Sequence, residues 1–298
     1  MENKGQIGHM AAFITILIWG TTFISTKVLL REFAPVEILF IRFVLGFLAL
    51  KLVHPHRLRG TSKREEMTFL LAGLCGVCLY YLLENIALTY TFASNVGVII
   101  SVAPFFTGVL THVFMKQEER LRANFFVGFF VAMAGISLIS FNGAALQLNP
   151  LGDGLAVLAA FVWACYSVLV RKIGGFGYHT IQTTRRVFGY GILFMLPALC
   201  FFDVQVRLQR FLNPVYLLNL IFLGVGASAL CFVTWNFAVK VLGTIRTSIY
   251  IYMVPVITVV TSVIVLHEKI TPMAMLGTVL TMAGLVVSEM KIKHKKEG

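Results

Sequence analysis

The side chains with the greatest chemical reach are ionisable groups standing inside long apolar runs: Glu84, Arg42, Arg186 and Lys27. In a bilayer such a group costs about 2.5 kcal/mol or more on insertion scales, so it pairs with another group or lines a wet cavity. Glu84 lies about 9 Å of helix rise from the end of its run. It could bind a proton or a substrate amine, or sit as a buried ion pair or an acid kept protonated by burial. Arg42 and Arg186 each stand about two turns into their runs, entering from opposite faces. Either could hold a substrate carboxylate in a bidentate fork, or tie its helix to backbone carbonyls or snorkel to the headgroups. Lys27 is near enough to the end of its run to snorkel.

Uncharged groups extend this set. Trp19, Trp163 and Trp235 stand far from the interfacial belts where tryptophan usually sits, which marks them for packing or for a cavity wall. Asn85 and Asn236 are amides at mid-depth, suited to interhelical hydrogen bonds or to orienting a substrate. Tyr81, Tyr166, Tyr250 and Tyr252 are further candidates for the wall, whereas Tyr80 and Tyr90 read as facing lipid or the interface. His112 reads as packing near a helix end, with a proton relay as the alternative. Pro104 and Pro255 each remove a backbone hydrogen bond, so they are expected to kink or interrupt their helices and act as gate hinges.

Other chemistries find little support. Cys75 and Cys78 form a CxxC, but it lies mid-run rather than at an exposed helix N-terminus, and reads as packing. The cysteines suggest neither a disulfide framework nor a zinc site, and no cofactor or metal is expected. GxxxxGK[ST], HExxH and GxSxG are absent from the sequence, so neither a nucleotide-hydrolysing engine nor an enzyme is expected.

The elements that must position these residues follow from composition. The chain has 298 residues, 58% hydrophobic and 13% charged, and a mean hydropathy of +0.86. Soluble domains carry about 25% charge, so an ordinary soluble enzyme is excluded, as is a disordered chain. Apolar runs bounded by charge or by Gly, Pro and Asn predict ten spanning helices, at roughly 9–30, 36–53, 67–90, 93–115, 123–141, 151–171, 179–202, 214–239, 244–266 and 271–290. No run shows the alternation of a membrane β-barrel. The predicted fold is an all-α integral membrane protein.

The net charge of +12 would suggest nucleic acid, but Lys and Arg fall almost wholly in short loops and the tail. Alternate loops hold 17 of them on one side, including Lys51, Arg57, Arg59, Lys116, Arg171, Lys240 and the tail lysines, against Arg31, Arg207, Arg210 and Lys269 on the other. The positive-inside rule then places both termini in the cytoplasm, with the protein in the inner cell membrane and the first helix retained.

The second half echoes the first. Trp19, Lys27 and Arg42 match Trp163, Arg171 and Arg186 at an offset of 144, Gly73, Asn85, Ala87 and Pro104 match Gly224, Asn236, Ala238 and Pro255 at 151, and Gly128 and Gly135 match Gly277 and Gly284 at 149. Two five-helix repeats are expected, 1–146 and 147–298. Five is odd, so the copies are inverted, an architecture of secondary transporters. Trp19-Gly20, Arg42-Phe43, Ala87-Leu88-x-Tyr90-Thr91 with Ala93, Pro104 and Glu118-Glu119, echoed by Trp163, Pro255 and His267-Glu268-Lys269, resemble the EamA-type branch of the drug/metabolite transporter superfamily. The likeness covers nearly the whole chain, with departures at Ala164 and Arg186-Val187. It implies alternating-access transport without specifying the substrate.

Together these features predict a secondary transporter, most simply an exporter, of a small amino-acid-like or otherwise amphipathic metabolite. Its partners would be the substrate, the bilayer and a coupling proton on Glu84, with no nucleic acid; the oligomeric state is left open. The competing readings are a lipid or drug carrier of the same fold and a non-transporting sensor or assembly subunit.

Overall fold

A computed structural model of the chain describes residues 2–91, 93–115, 123–140, 149–201, 208–266 and 272–289. Among these residues there is no strand. The helices are α1 (Glu2–Leu29), α2 (Pro35–Val53), α3 (Lys63–Tyr90), α4 in two pieces (Ala93–Ile100 and Ala103–Phe114), α5 (Ala123–Ser140), α6 (Pro150–Gly174), α7 (Thr180–Phe201), α8 (Pro214–Leu242), α9 (Thr244–Ile249, a tighter turn at Tyr250–Tyr252, then Met253–Leu266) and α10 (Pro272–Glu289). Helices satisfy their own backbone, as the interior of a bilayer demands.

Several helices are long and apolar enough to cross a bilayer as they stand, α1, α3, α6 and α8 among them. Others carry charge: α2 holds Glu37, Arg42 and Lys51. Two helices begin earlier than their apolar runs predict. α3 starts at Lys63 because Ser62 and Glu65 form a capping box, Ser62 Oγ accepting from the Glu65 amide at 3.3 Å and Glu65 Oε2 accepting from the Ser62 amide at 2.7 Å. α1 starts at Glu2 rather than near residue 9.

The halves share their irregularities. α3 widens to a π-helix at Leu74–Leu79, and α8 does the same at Phe222–Leu230. α4 breaks at Ser101 and Val102 just before Pro104, and α9 breaks at Tyr250–Tyr252 just before Pro255. The prolines therefore begin the second piece of each helix, where a missing amide costs nothing, instead of kinking a continuous helix. Packing obeys the same relation: α1 lies on α8 as α6 lies on α3, α2 on the π segment of α8 as α7 on that of α3, and α1 on α9 as α6 on α4. The pairs α2–α7 and α5–α10 meet across the relation.

Glycines set these distances. A Cβ at Gly224 would press on Leu45 and the Arg42 carbonyl, and one at Gly73 on Tyr190 and the Val187 carbonyl. The contacts therefore put Val187, not Arg186, in the place that Arg42 holds in the first half. One residue rotates a helical side chain by about 100°, so Arg186 faces away from the interface that Arg42 enters.

Along α5–α10 the backbones touch. A Cβ at Gly135 would lie 2.5 Å from both the Gly277 carbonyl oxygen and the Thr281 amide nitrogen, and one at Gly284 would lie 2.4 Å from the Ala132 nitrogen. Close approach of small residues substitutes for the hydrophobic effect that lipid does not supply between helices. Gly135→Leu is expected to force this pair apart at a cost of about 1–3 kcal/mol, read as a lowered melting temperature in detergent. Gly154→Ala, which would meet nothing within 4 Å, should leave it unchanged; equal losses in both would refute the packing account.

Candidate functional site

The π segment of α3 leads into Tyr80, Tyr81 and Glu84, which present side chains to the bundle interior. π turns insert an extra residue and commonly occur at functional sites. Glu84 is 3% exposed, and its carboxylate interacts with the Tyr80 hydroxyl and with the charge of Arg42. Around it lies a small cavity of about 40 Å³, lined by Trp19, Thr22 and Phe23 of α1, Tyr80, Tyr81 and Glu84 of α3, Ile100 of α4, Trp163 of α6, and Ile251 and Val254 of α9. Ile100 and Ile251 immediately precede or sit within the two helix breaks, so the cavity touches both halves at their matched interruptions.

Aromatic side chains build the walls. Trp19 meets Trp163 edge-on at 5.2 Å and Trp235 at 5.1 Å, Trp163 meets Tyr80 at 4.8 Å and Tyr166 at 5.1 Å, and Tyr80 meets Tyr81 at 4.7 Å. The Trp19 indole donates to the Ala227 carbonyl at 2.9 Å. The indole N–H groups of Trp163 and Trp235 are buried and have no acceptor among the described residues. Arg42, 1% exposed, stands one layer behind, its guanidinium 4.3 Å from the centre of the Tyr81 ring. Its Nε donates to Ser228 Oγ at 3.0 Å, and one terminal nitrogen is buried without an acceptor. Arg42 and Glu84 thus share one low-dielectric region without a direct ion pair, the described ion pairs being Arg186–Glu66 and Arg210–Glu37.

Other predicted residues lie elsewhere. Asn85 ties α3 to the start of α2 through the Pro35 carbonyl at 3.1 Å. Asn236 accepts from the Tyr166 hydroxyl at 2.9 Å and donates to Thr184 Oγ1 at 3.0 Å. Tyr166 packs its ring against Gly76, where a Cβ would lie 2.2 Å away. Tyr252 is fully buried with Phe125, Ala132 and Ile249, apart from the cavity. Arg186 is on the exterior, bound to Glu66 at 2.6 Å, because it stands one position before the inward register that Val187 occupies. Tyr250 bonds His9 at 2.8 Å, and His112 is exposed on the last turn of α4. Glu118, Glu119, His267, Glu268 and Lys269 lie outside the described residues.

Tyr80, expected to face lipid, instead lines the cavity, since the π turn brings it inward with Glu84. Thr22, Phe23, Ile100, Ile251 and Val254 went unmarked in the sequence, where they are ordinary members of apolar runs. The one available signal was the pair of prolines, which mark the interruptions beside Ile100 and Ile251.

Lys27 and Arg171, matched in the two halves, do not enter the cavity. Lys27 donates to the Leu88 and Thr91 carbonyls at 3.1 and 3.3 Å, and Arg171 to those of Val239 and Lys240 at 3.3 and 2.8 Å. Each places a cation on the C-terminal end of the long helix of its half, where the helix dipole is negative. Among the described residues no three His, Cys, Asp or Glu side chains converge as a metal site.

Tyr166→Phe would leave Asn236 with an unfilled acceptor between α6 and α8. The expected cost is about 0.6 kcal/mol and at most about 1.7, seen as a small drop in detergent melting temperature. An unchanged melt would show that this bond contributes nothing to the packing.

The chain matches the family model described as the EamA-like transporter family twice, at residues 6–141 and 150–290. An uncharacterized transporter of Archaeoglobus fulgidus is 28% identical over 95% of this chain and 97% of its own length. A protein of Streptantibioticus cattleyicolor named a probable terminal-alkyne amino-acid exporter is 24% identical over 93% and 91%, and one of Escherichia coli K12 named a probable amino-acid metabolite efflux pump is 23% identical over 96% and 95%. A solved crystal structure superposes with a TM-score of 0.75 at 19% identity, covering 94% of this chain and 97% of that one, which shows a common fold. An all-α, multi-pass membrane protein whose two halves both match one model, this chain belongs to the EamA-like transporter family.

Proposed function

We propose that the protein is a secondary transporter exporting a small amphipathic metabolite, an amino acid or close relative, across the cytoplasmic membrane by alternating access. The observation that carries this reading is the cavity where the Glu84 carboxylate meets an aromatic enclosure drawn from both halves, with the Arg42 guanidinium one layer behind against the Tyr81 ring. In a dry site each charge is stabilised by an opposite one, so a zwitterion supplies both partners. Its carboxylate would take the indole N–H of Trp163 and be drawn by the Arg42 charge behind Tyr81, its ammonium would face Glu84, and its apolar body would stack on Trp19, Trp163 and Tyr80. The exporter names of two relatives at 23 and 24% identity support the same substrate class.

The two halves, 1–146 and 147–298 in this reading, would rock about the site. The hinges are the breaks before Pro104 and Pro255, because each is a change of helical winding followed by a residue that has no amide hydrogen to bond. Glu84 also supplies a group that can exchange a proton with the substrate site. A second reading, a carrier of lipophilic cations, is favoured by tryptophan faces beside an acid, but the nearby Arg42 charge opposes it.

The tests use purified protein in detergent and in liposomes. Ligands of the native state raise its melting temperature, so a zwitterionic amino acid among a panel of metabolites should produce a saturable shift that Arg42→Gln and Glu84→Gln each remove. Loss of either charge-assisted contact should weaken binding roughly tenfold or more. A shift from organic cations alone, retained in Arg42→Gln, would replace the zwitterion reading with the second. For coupling, Glu84→Gln should abolish the dependence of liposome flux on a pH gradient; flux that keeps its full pH dependence in this variant rules out Glu84 as the proton carrier.

A further inference from the structure

At the end of the bundle where α2 stops and α7 begins, five basic or imidazole side chains gather away from the cavity. The ring of His54 lies 5.4 Å from that of His56 and 4.9 Å from that of His179. Arg185, 8% exposed, donates its two terminal nitrogens to the backbone carbonyls of His54 and His56, which pegs the α2–α3 connection onto α7. Gln182 reaches the His56 carbonyl at 3.5 Å. Arg57 directly follows His56, whose carbonyl Arg185 holds, so the two like charges stand on one short stretch of the connection. Neither arginine has an acidic partner among the described residues. Of the acids at the start of α3, Glu66 is already held by Arg186 and by the Tyr190 hydroxyl, and Glu65 accepts from the Tyr178 hydroxyl. Nδ1 of His54 is buried with no hydrogen-bond partner.

The two carbonyls take one N–H from each terminal nitrogen of Arg185 but bring no negative charge, so an anion beside the two arginines would relieve their repulsion. A metal is not the missing partner, since the imidazoles do not converge as a ligand set and the arginines would repel it. A phosphate-type anion is the better match, because guanidinium forks and imidazole N–H groups bind its oxygens directionally. Beside the cluster, Leu52 and Val53 are 83% and 72% exposed, an apolar flank suited to the acyl chains of a lipid. The charge bias of the loops puts this end in the cytoplasmic leaflet, where anionic headgroups concentrate.

We propose that Arg57, Arg185, His54, His56 and His179 form a binding site for a phosphate-bearing anion, separate from the central cavity. The test uses the full chain in detergent, with phosphatidylglycerol, phosphatidylcholine and inorganic phosphate as probes. Bound lipid is counted by native mass spectrometry, and phosphate binding is read as a shift in melting temperature against equal ionic strength of chloride. Arg57→Gln removes a side chain that holds no structural bond, and Arg59→Gln removes the same charge from the same connection as a control. Saturable phosphatidylglycerol binding that weakens roughly fivefold in Arg57→Gln, and is unchanged in Arg59→Gln, supports the site and identifies its occupant as lipid. The same variant pattern with inorganic phosphate, and no preference between the two lipids, supports the site and identifies a free phosphate. No preference for either anion over phosphatidylcholine and chloride, or equal losses in the two variants, overturns it.

Discussion

Every other feature of this protein answers to one constraint: backbone polar groups within the hydrocarbon must be satisfied by the chain itself. Helices follow from it, and so does the meaning of their interruptions. A break in a spanning helix is tolerated only where protein or a wet cavity surrounds it. α4 and α9 break at matched points, and both breaks abut the cavity through Ile100 and Ile251. The cavity therefore lies where both halves interrupt their regular winding at matched points.

The frame is symmetric and the chemistry is not. Glycine contacts, π segments, breaks and the capping cations Lys27 and Arg171 recur in both halves. Scaffold roles recur because each half must pack and cap the same helices in the same way. The charged groups near the cavity have no such twins: Arg42 corresponds to Val187 in the packing, and Glu84 falls opposite Trp235 at the repeat offset. One acid and one arginine in a common enclosure suit a single bound molecule, whereas duplicated charges would repel within it.

Polar side chains divide along the same line. Asn85 and Asn236 spend their amides on interhelical bonds. Arg186 and Arg210 neutralise Glu66 and Glu37 near the bundle's ends, Arg210 in a two-oxygen fork. Among the buried polar atoms left without partners are three donors near the cavity, the indole N–H of Trp163 and Trp235 and one nitrogen of Arg42. Buried donors are nearly always paired in folded proteins, so their grouping near the cavity is what the proposed binding site rests on.

Membrane class, helix number, the repeat and the family resemblance were legible in the sequence, because hydropathy, charge placement and periodic Gly and Pro are local properties that lipid reads directly. Trp19, Trp163, Glu84 and Arg42 also stood out, since a charge or a tryptophan at mid-depth is costly enough to demand a role. Which of them meet was decided only by tertiary structure. A one-residue difference in helical register separates Arg42 from Arg186, and a π turn brings Tyr80 inward beside Glu84. Burial deep in another cluster removes Tyr252 from the wall. Linear spacing cannot show these, because rotation about a helix axis is set by the packing of neighbouring helices, glycine against backbone, and not by the chain's own hydropathy.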